Sequence, residues 1–184
     1  MAYYITYGEF QRHLKEHYLR SGSGMQFPEM VDYLKRRGML SEQYPSDTTE
    51  HNIFGRMPDE KFEEILDDMV LTLTPELKLS PNVIESSIIP TERDAFIIRH
   101  PRYTRPFLHI HNYFEINFVS SGNCTFYFEK EARTLRDGEL CIIAPGSMHD
   151  LHIDNESTIY CIMIRKSTFN TSFFSLLSQK DLLS

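Results

Sequence analysis

The chain has no apolar run that approaches membrane-spanning length, which argues against a membrane-crossing helix. Its first residues, Met1-Ala2-Tyr3-Tyr4-Ile5-Thr6, lack the charged start and apolar stretch of a secretory leader. Positive charge is scarce: 19 Lys and Arg face 26 Asp and Glu, for a formal net charge of −7 and a pI near 5.6. Gripping nucleic acid needs clustered cations, so this segment is not expected to bind DNA by itself. Cysteine is limited to Cys124, Cys141 and Cys161, an odd number without paired spacing. That usage fits a reducing compartment, with cysteine as a small buried hydrophobe, and makes the cytoplasm the default. Internal repeats and low-complexity tracts are also missing.

What is present suffices for a core. Of 184 residues, 41% are hydrophobic and 12% aromatic, enough for one domain or two small ones. The N-terminal part reads as helical. Thr6 and Glu9 have capping-box spacing, Phe10, Leu14 and Tyr18 recur every four residues, and Gly22 can end the helix. A second helix is expected from near Pro28 to Gly38, with Met30, Val31 and Leu34 inward and Lys35, Arg36 and Arg37 in its last turn. Residues 41–57 read as loop. A third helix is expected from near Pro58, with Phe62, Ile65, Leu66 and Met69 inward, before Thr74-Pro75 and Ser80-Pro81 break the chain.

From about residue 85 the hydrophobic period switches from helix to strand. Strands are expected at 94–100, 113–120, 124–130, 140–143, 149–153 and 158–165, separated by turn-rich tetrapeptides, and a last helix from Phe169. The expected fold is therefore mainly β with an α-helical N-terminal region: residues 1–85 helical, 86–168 a sandwich or small barrel, 169–184 the start of a helix.

Chemistry concentrates in His109-Ile110-His111-Asn112-Tyr113-Phe114-Glu115 and in Pro145-Gly146-Ser147-Met148-His149. Residues 109, 111 and 115 are separated by even numbers, so on an extended strand they share a face, while Phe114, Ile116 and Phe118 point the other way. In the second segment His149, Leu151 and Ile153 share one face, and Asp150, His152 and Asp154 the other. Three imidazoles and a carboxylate suit a divalent transition metal with open coordination positions: Zn, Ni, Fe or Mn. By contrast, His13 and His17 have ligand spacing but no third partner, and read as a helix face beside Arg12, Lys15 and Glu16. His152 has the wrong parity to join His149, and His100 reads as structural.

The spacing His-x-His, three residues, Glu, six residues, Gly122, then Gly138, five residues, x-Pro-Gly-x-x-His, resembles the two signature motifs of the cupin superfamily. Ala144 stands where cupins often have Pro, and Ile153 where they often have Asn; all four ligand positions are filled. The resemblance implies a jelly-roll barrel followed by a helix and brings His149 to the other three. Pro106 to Phe169 is also similar to the sensing domain of AraC-type transcriptional regulators, in His111 to Gly122, Leu135 to Pro145 and Ile164 to Phe169, continuing through Phe173 to Leu177.

This likeness implies a sensor: a small-molecule effector bound in the barrel, a homodimer, no turnover, and DNA contacted only through a C-terminal domain beyond Ser184. The expected pocket comprises Tyr113 and Asn117 beside His109, His111, Glu115 and His149, suited to a small polar molecule such as a sugar or carboxylate. The same four metal-type residues can also line such a pocket without metal. The alternative is a metal-dependent cupin enzyme: a dioxygenase, isomerase or decarboxylase.

Overall fold

Alternation of buried and half-exposed residues along two long strands organises the part of the chain that carries the motifs. The structure, a computed structural model, describes residues 2–45, 58–73, 81–89 and 92–169. It divides into two units. The first comprises Met1–Leu79, Pro101–Pro106 and His152–Asn155; the second comprises Ser80–His100, Phe107–Leu151 and Glu156–Ser184.

In the first unit, β1 (Tyr3–Thr6) leads directly into α1 (Tyr7–Ser21), followed by α2 (Phe27–Arg36), α3 (Asp59–Asp68) and β2 (Val70–Leu73). Thr6 caps α1 as the sequence predicts, its hydroxyl accepting from the Glu9 amide at 3.2 Å. Gly22 ends that helix in the left-handed region, donating to the Tyr18 carbonyl at 2.8 Å. Pro28 lies in the first turn of α2. Ile5, Phe10, Leu14, Met30, Leu34, Leu40 and Leu73 form the core of this unit.

Helices do not account for the whole region. β1 and β2 pair antiparallel, Tyr3 with Leu73 through Thr6 with Val70. The sequence reading missed this ribbon because each strand has four residues and abuts a helix, too short for a period-two signal. Its β-branched and aromatic content is the cue that was present.

The second unit is built from β3 (Asn82–Val83), β4 (Ala95–Arg99), β5 (Ile110–His111), β6 (Phe114–Ser121), β7 (Asn123–Phe128), β8 (Glu131–Arg136), β9 (Leu140–Ile143), β10 (His149–His152) and β11 (Thr158–Ile164). Four strands form a sheet in the order β4-β11-β6-β9, three form a second in the order β10-β7-β8, and β3 pairs in parallel with β5. This is a jelly-roll arrangement of strands in separate sheets. The six strands expected from the sequence are all present. β8 was missed because it is charged and almost wholly exposed, without an apolar face to mark it.

Strand β11 sits inside its sheet and buries Ile159, Cys161 and Met163 on one face. Beside it, β6 buries Glu115, Asn117 and Val119 on the same parity. Each large apolar side chain removed from water in this way contributes about 1.5–3 kcal/mol. A helical turn begins at residue 166, three residues before the expected Phe169. The Phe169 ring stacks on Phe114, with centroids 3.9 Å apart. The rest of the expected last helix, the Thr74-Pro75 break and most of the 41–57 loop lie outside the described residues. Among the described residues no helix is long and apolar enough to cross a membrane.

Gly122 joins β6 to β7 with φ 84°. A Cβ there would lie 2.0 Å from the Ser157 hydroxyl oxygen, which accepts the Asn123 amide at 2.8 Å. The motif glycine is thus required by both conformation and space. Gly122→Ala is expected to cost about 2 kcal/mol or more, by adding left-handed strain and displacing Ser157 from its amide. Urea denaturation of the two proteins measures the loss.

Candidate metal and ligand site

His111 and Glu115 come from consecutive strands. His111 ends β5, and Glu115 follows the bend into β6. His149 opens β10 in the other sheet, yet its Nε2 lies 4.0 Å from Glu115 Oε1. The two sheets therefore turn these side chains toward one another. His111 Nε2 lies 3.4 Å from Glu115 Oε2. One ligand atom from each of His111, Glu115 and His149 falls within 4.8 Å of the others, and all three residues are buried.

His109 is adjacent but outside this trio. Its backbone exchanges two hydrogen bonds with His149, at 2.9 and 3.0 Å, and the two rings stand 4.5 Å apart by centroid. It is half-buried, whereas the other two imidazoles are closed off from solvent.

Backbone carbonyls orient all three imidazoles. His109 Nδ1 contacts the Phe107 carbonyl at 3.1 Å, His111 Nδ1 the Tyr113 carbonyl at 2.9 Å, and His149 Nδ1 the Ser147 carbonyl at 3.0 Å. A carbonyl oxygen only accepts, so each Nδ1 must carry hydrogen. In the neutral ring the Nε2 lone pair is then left for a ligand. The Nε2 atoms of His111 and His149 are buried and make no hydrogen bond.

The charge state fits the same purpose. Burial pushes the His149 imidazole down to about 4, reinforced by His109 and opposed by Glu115, so it is neutral at neutral pH. Burial alone would raise Glu115, but His111, His149 and the Asn117 amide outweigh it and hold the carboxyl near 2. A neutral His149 lends Glu115 little positive charge near pH 7. The Asn117 amide donates to one oxygen of the ionised carboxylate, and His111 Nε2 lies 3.4 Å from the other. Two lone-pair nitrogens and an ionised oxygen, in a buried place with two unpartnered atoms, fit a divalent metal. Ligands at about 2.1 Å from one ion stand roughly 3–4 Å apart, so little contraction is needed.

Tyr113 and Asn117 support this trio from within the fold. The Tyr113 ring stacks on His111, centroids 4.0 Å apart and planes 7° from parallel, and packs with Ile89 and Met163. Burial drives its phenol far above the ordinary range, so it stays neutral. Asn117 is fully buried; its Nδ2 donates to Glu115 Oε1 at 2.8 Å, and its Oδ1 accepts from the Cys161 thiol.

Two neighbouring residues make contacts that the sequence does not record. Asp150 is buried, and its carboxylate accepts the Phe107 amide at 3.1 Å. Burial raises its pKa, against His100 and the Phe107 amide. Strand parity could not foresee this, because the partner amide follows Pro106 in a remote loop. Cys161 is also more than apolar filling. Its register opposite Asn117 brings the thiol to the amide, a pairing that no local pattern records. His13 and His17 join no metal-capable group among the described residues.

The family model for the AraC-like ligand binding domain matches residues 93–174. Among solved structures, KdgF from Halomonas sp. is 20% identical over 39% of this chain and 68% of its own, with a TM-score of 0.34. A cupin-2 domain containing protein from Shewanella frigidimarina is 24% identical over 42% of this chain and 78% of its own, with a TM-score of 0.34. DMSP lyase DddQ from Ruegeria pomeroyi is 22% identical over 39% of this chain and 36% of its own, with a TM-score of 0.34. A search of the curated proteins finds no match.

The buried His149 makes the metal-free protein acid-sensitive in a defined window. Its folded-state pKa lies near 4, against an ordinary value of 6.5. Between those values the unfolded chain binds more protons, so stability falls as pH is lowered from 6.5 to 4, by up to about 1.4 kcal/mol per pH unit. Glu115 adds a second loss below about pH 4.5, continuing toward 2. Urea denaturation of metal-free protein at pH 7 and pH 5 measures the first step, and His149→Gln is expected to shrink it.

Proposed function

We propose, for a chain whose residues 93–174 are an AraC-like ligand-binding domain of cupin fold, that it is the effector-sensing part of a transcriptional regulator. In this reading a small polar molecule binds at the His111, Glu115 and His149 centre, with His109 at its border. The observation that carries the proposal is the pair of buried, unpartnered Nε2 atoms facing an ionised carboxylate. Leaving such atoms without a ligand is costly, and the orientation of each ring is already fixed.

A divalent metal held by His111, Glu115 and His149 would supply a positive centre for an anionic or hydroxylated effector. The neutral Tyr113 phenol and the His111 ring it covers keep one wall rigid. Asn117, engaged at both ends of its amide, keeps the carboxylate in place rather than contacting the effector. The effector must favour one arrangement of the molecule over another for binding to be felt elsewhere. The sensor acts as a homodimer and reaches DNA through a separate DNA-binding domain, since the net charge of −7 does not favour contact by this segment itself.

Buried ionised carboxylate and open nitrogen positions also favour a second reading, a metal-dependent cupin enzyme. Two measurements distinguish them. Elemental analysis of purified protein is expected to find a divalent metal, lost with His111→Ala. A screen with small sugars and carboxylic acids is expected to give saturable binding with the ligand recovered unchanged. Consumption of a bound molecule that stops in Glu115→Gln establishes the enzyme instead.

A further inference from the structure

Asn117 lies at the centre of a row that crosses three strands. Its register partners are Cys161 on β11 and Cys141 on β9. The Cys161 thiol hydrogen-bonds its side chain. The chemistry fixes the direction of the amide. A carboxylate only accepts, so the Asn117 end at 2.8 Å from Glu115 Oε1 is the Nδ2 donor. The carbonyl end therefore faces Cys161, and that thiol must donate.

We propose that Cys161 and Asn117 form a positioning relay, from thiol to amide to carboxylate, that holds Glu115 in the orientation in which it meets the imidazoles and thereby sets the metal affinity of the site. The affinity clause rests on the proposed metal centre; the orientation clause does not. With Oε1 taken by the amide, Oε2 is left toward His111 Nε2, 3.4 Å away. Without the relay, the carboxylate can rotate about its last side-chain bond. Burial also raises the Cys161 thiol well above its ordinary pKa, so its donating hydrogen persists through neutral pH. Cys161 and Asn117 are both closed to solvent, so water cannot substitute for either partner. Supporting partners of this kind typically change metal affinity about 10–100-fold when removed.

Cys161→Val keeps the volume and removes the donor; Cys161→Ser restores a donor. Nitrogen-15 NMR of the Asn117 side-chain amide, in metal-free protein, reads the relay directly. The resonance is expected to move in Cys161→Val and in Glu115→Gln, and to return toward its original position in Cys161→Ser. Equal movement in the serine and valine variants, or none in either, overturns the relay. Cobalt(II) titration reads its consequence: affinity within about twofold of the parent for Cys161→Ser, weaker for Cys161→Val, and weaker by about tenfold for Asn117→Leu. Equal cobalt affinity in all four proteins overturns the affinity clause. If the parent binds no cobalt, the metal centre and the affinity clause both fall, and the orientation clause is decided by the amide resonance. Denaturation midpoints identify any variant whose loss is merely structural.

Discussion

A carboxylate kept ionised inside two packed sheets is the constraint on which the motif-bearing unit depends. Burying an unpaired charge costs several kcal/mol, and a carboxyl so placed would ordinarily take up a proton. Here one Glu115 oxygen accepts from the Asn117 amide, and the other faces His111 Nε2 at 3.4 Å. Those partners come from neighbouring positions on β5 and β6, and His149 arrives from the opposite sheet. The surrounding strands must therefore hold their register: a one-residue slip of β6 would turn Glu115 and Asn117 outward.

Orientation of the imidazoles is achieved without side-chain partners. Each ring hydrogen-bonds a main-chain carbonyl two residues away: backward for His109 and His149, forward for His111. Such bonds are made within one short segment, so the ring direction is set by local backbone shape. What remains for the tertiary fold is to bring the segments together. It does so with the paired backbone hydrogen bonds between His109 and His149 and with the Gly146 amide on the His111 carbonyl at 2.8 Å.

Much of this was legible in the sequence for a simple reason. Even spacing among His109, His111, Tyr113, Glu115 and Asn117 anticipates their nearness across the bend at residues 112–113, and the long strands β6 and β11 bury alternate residues as their composition requires. Gly122 was marked by its motif, and the structure supplies the cause in Ser157. The illegible parts share another cause. The β1–β2 ribbon, the partner of Asp150 and the Cys161–Asn117 contact each depend on residues far apart in sequence, and a period measured along the chain carries no trace of them. The exposed strand β8 failed for want of an apolar face.

The division into units follows space and not the order of the chain. Residues 101–106 and 152–155 leave the motif-bearing half, join the N-terminal unit, and return. Arg102 is held there at both backbone groups by Gln11, at 2.8 and 3.3 Å, and the Arg105 amide donates to the Met25 carbonyl at 3.0 Å. A polypeptide begun at residue 93 would contain the whole family segment and yet leave Arg102 and Arg105 without these partners. The helical region is thus a structural accessory to the very loops that interrupt the motif-bearing half. Exchange of the C-terminal half between relatives, by recombination or by design, is expected to keep the clamp on Arg102 only where Gln11 travels with it.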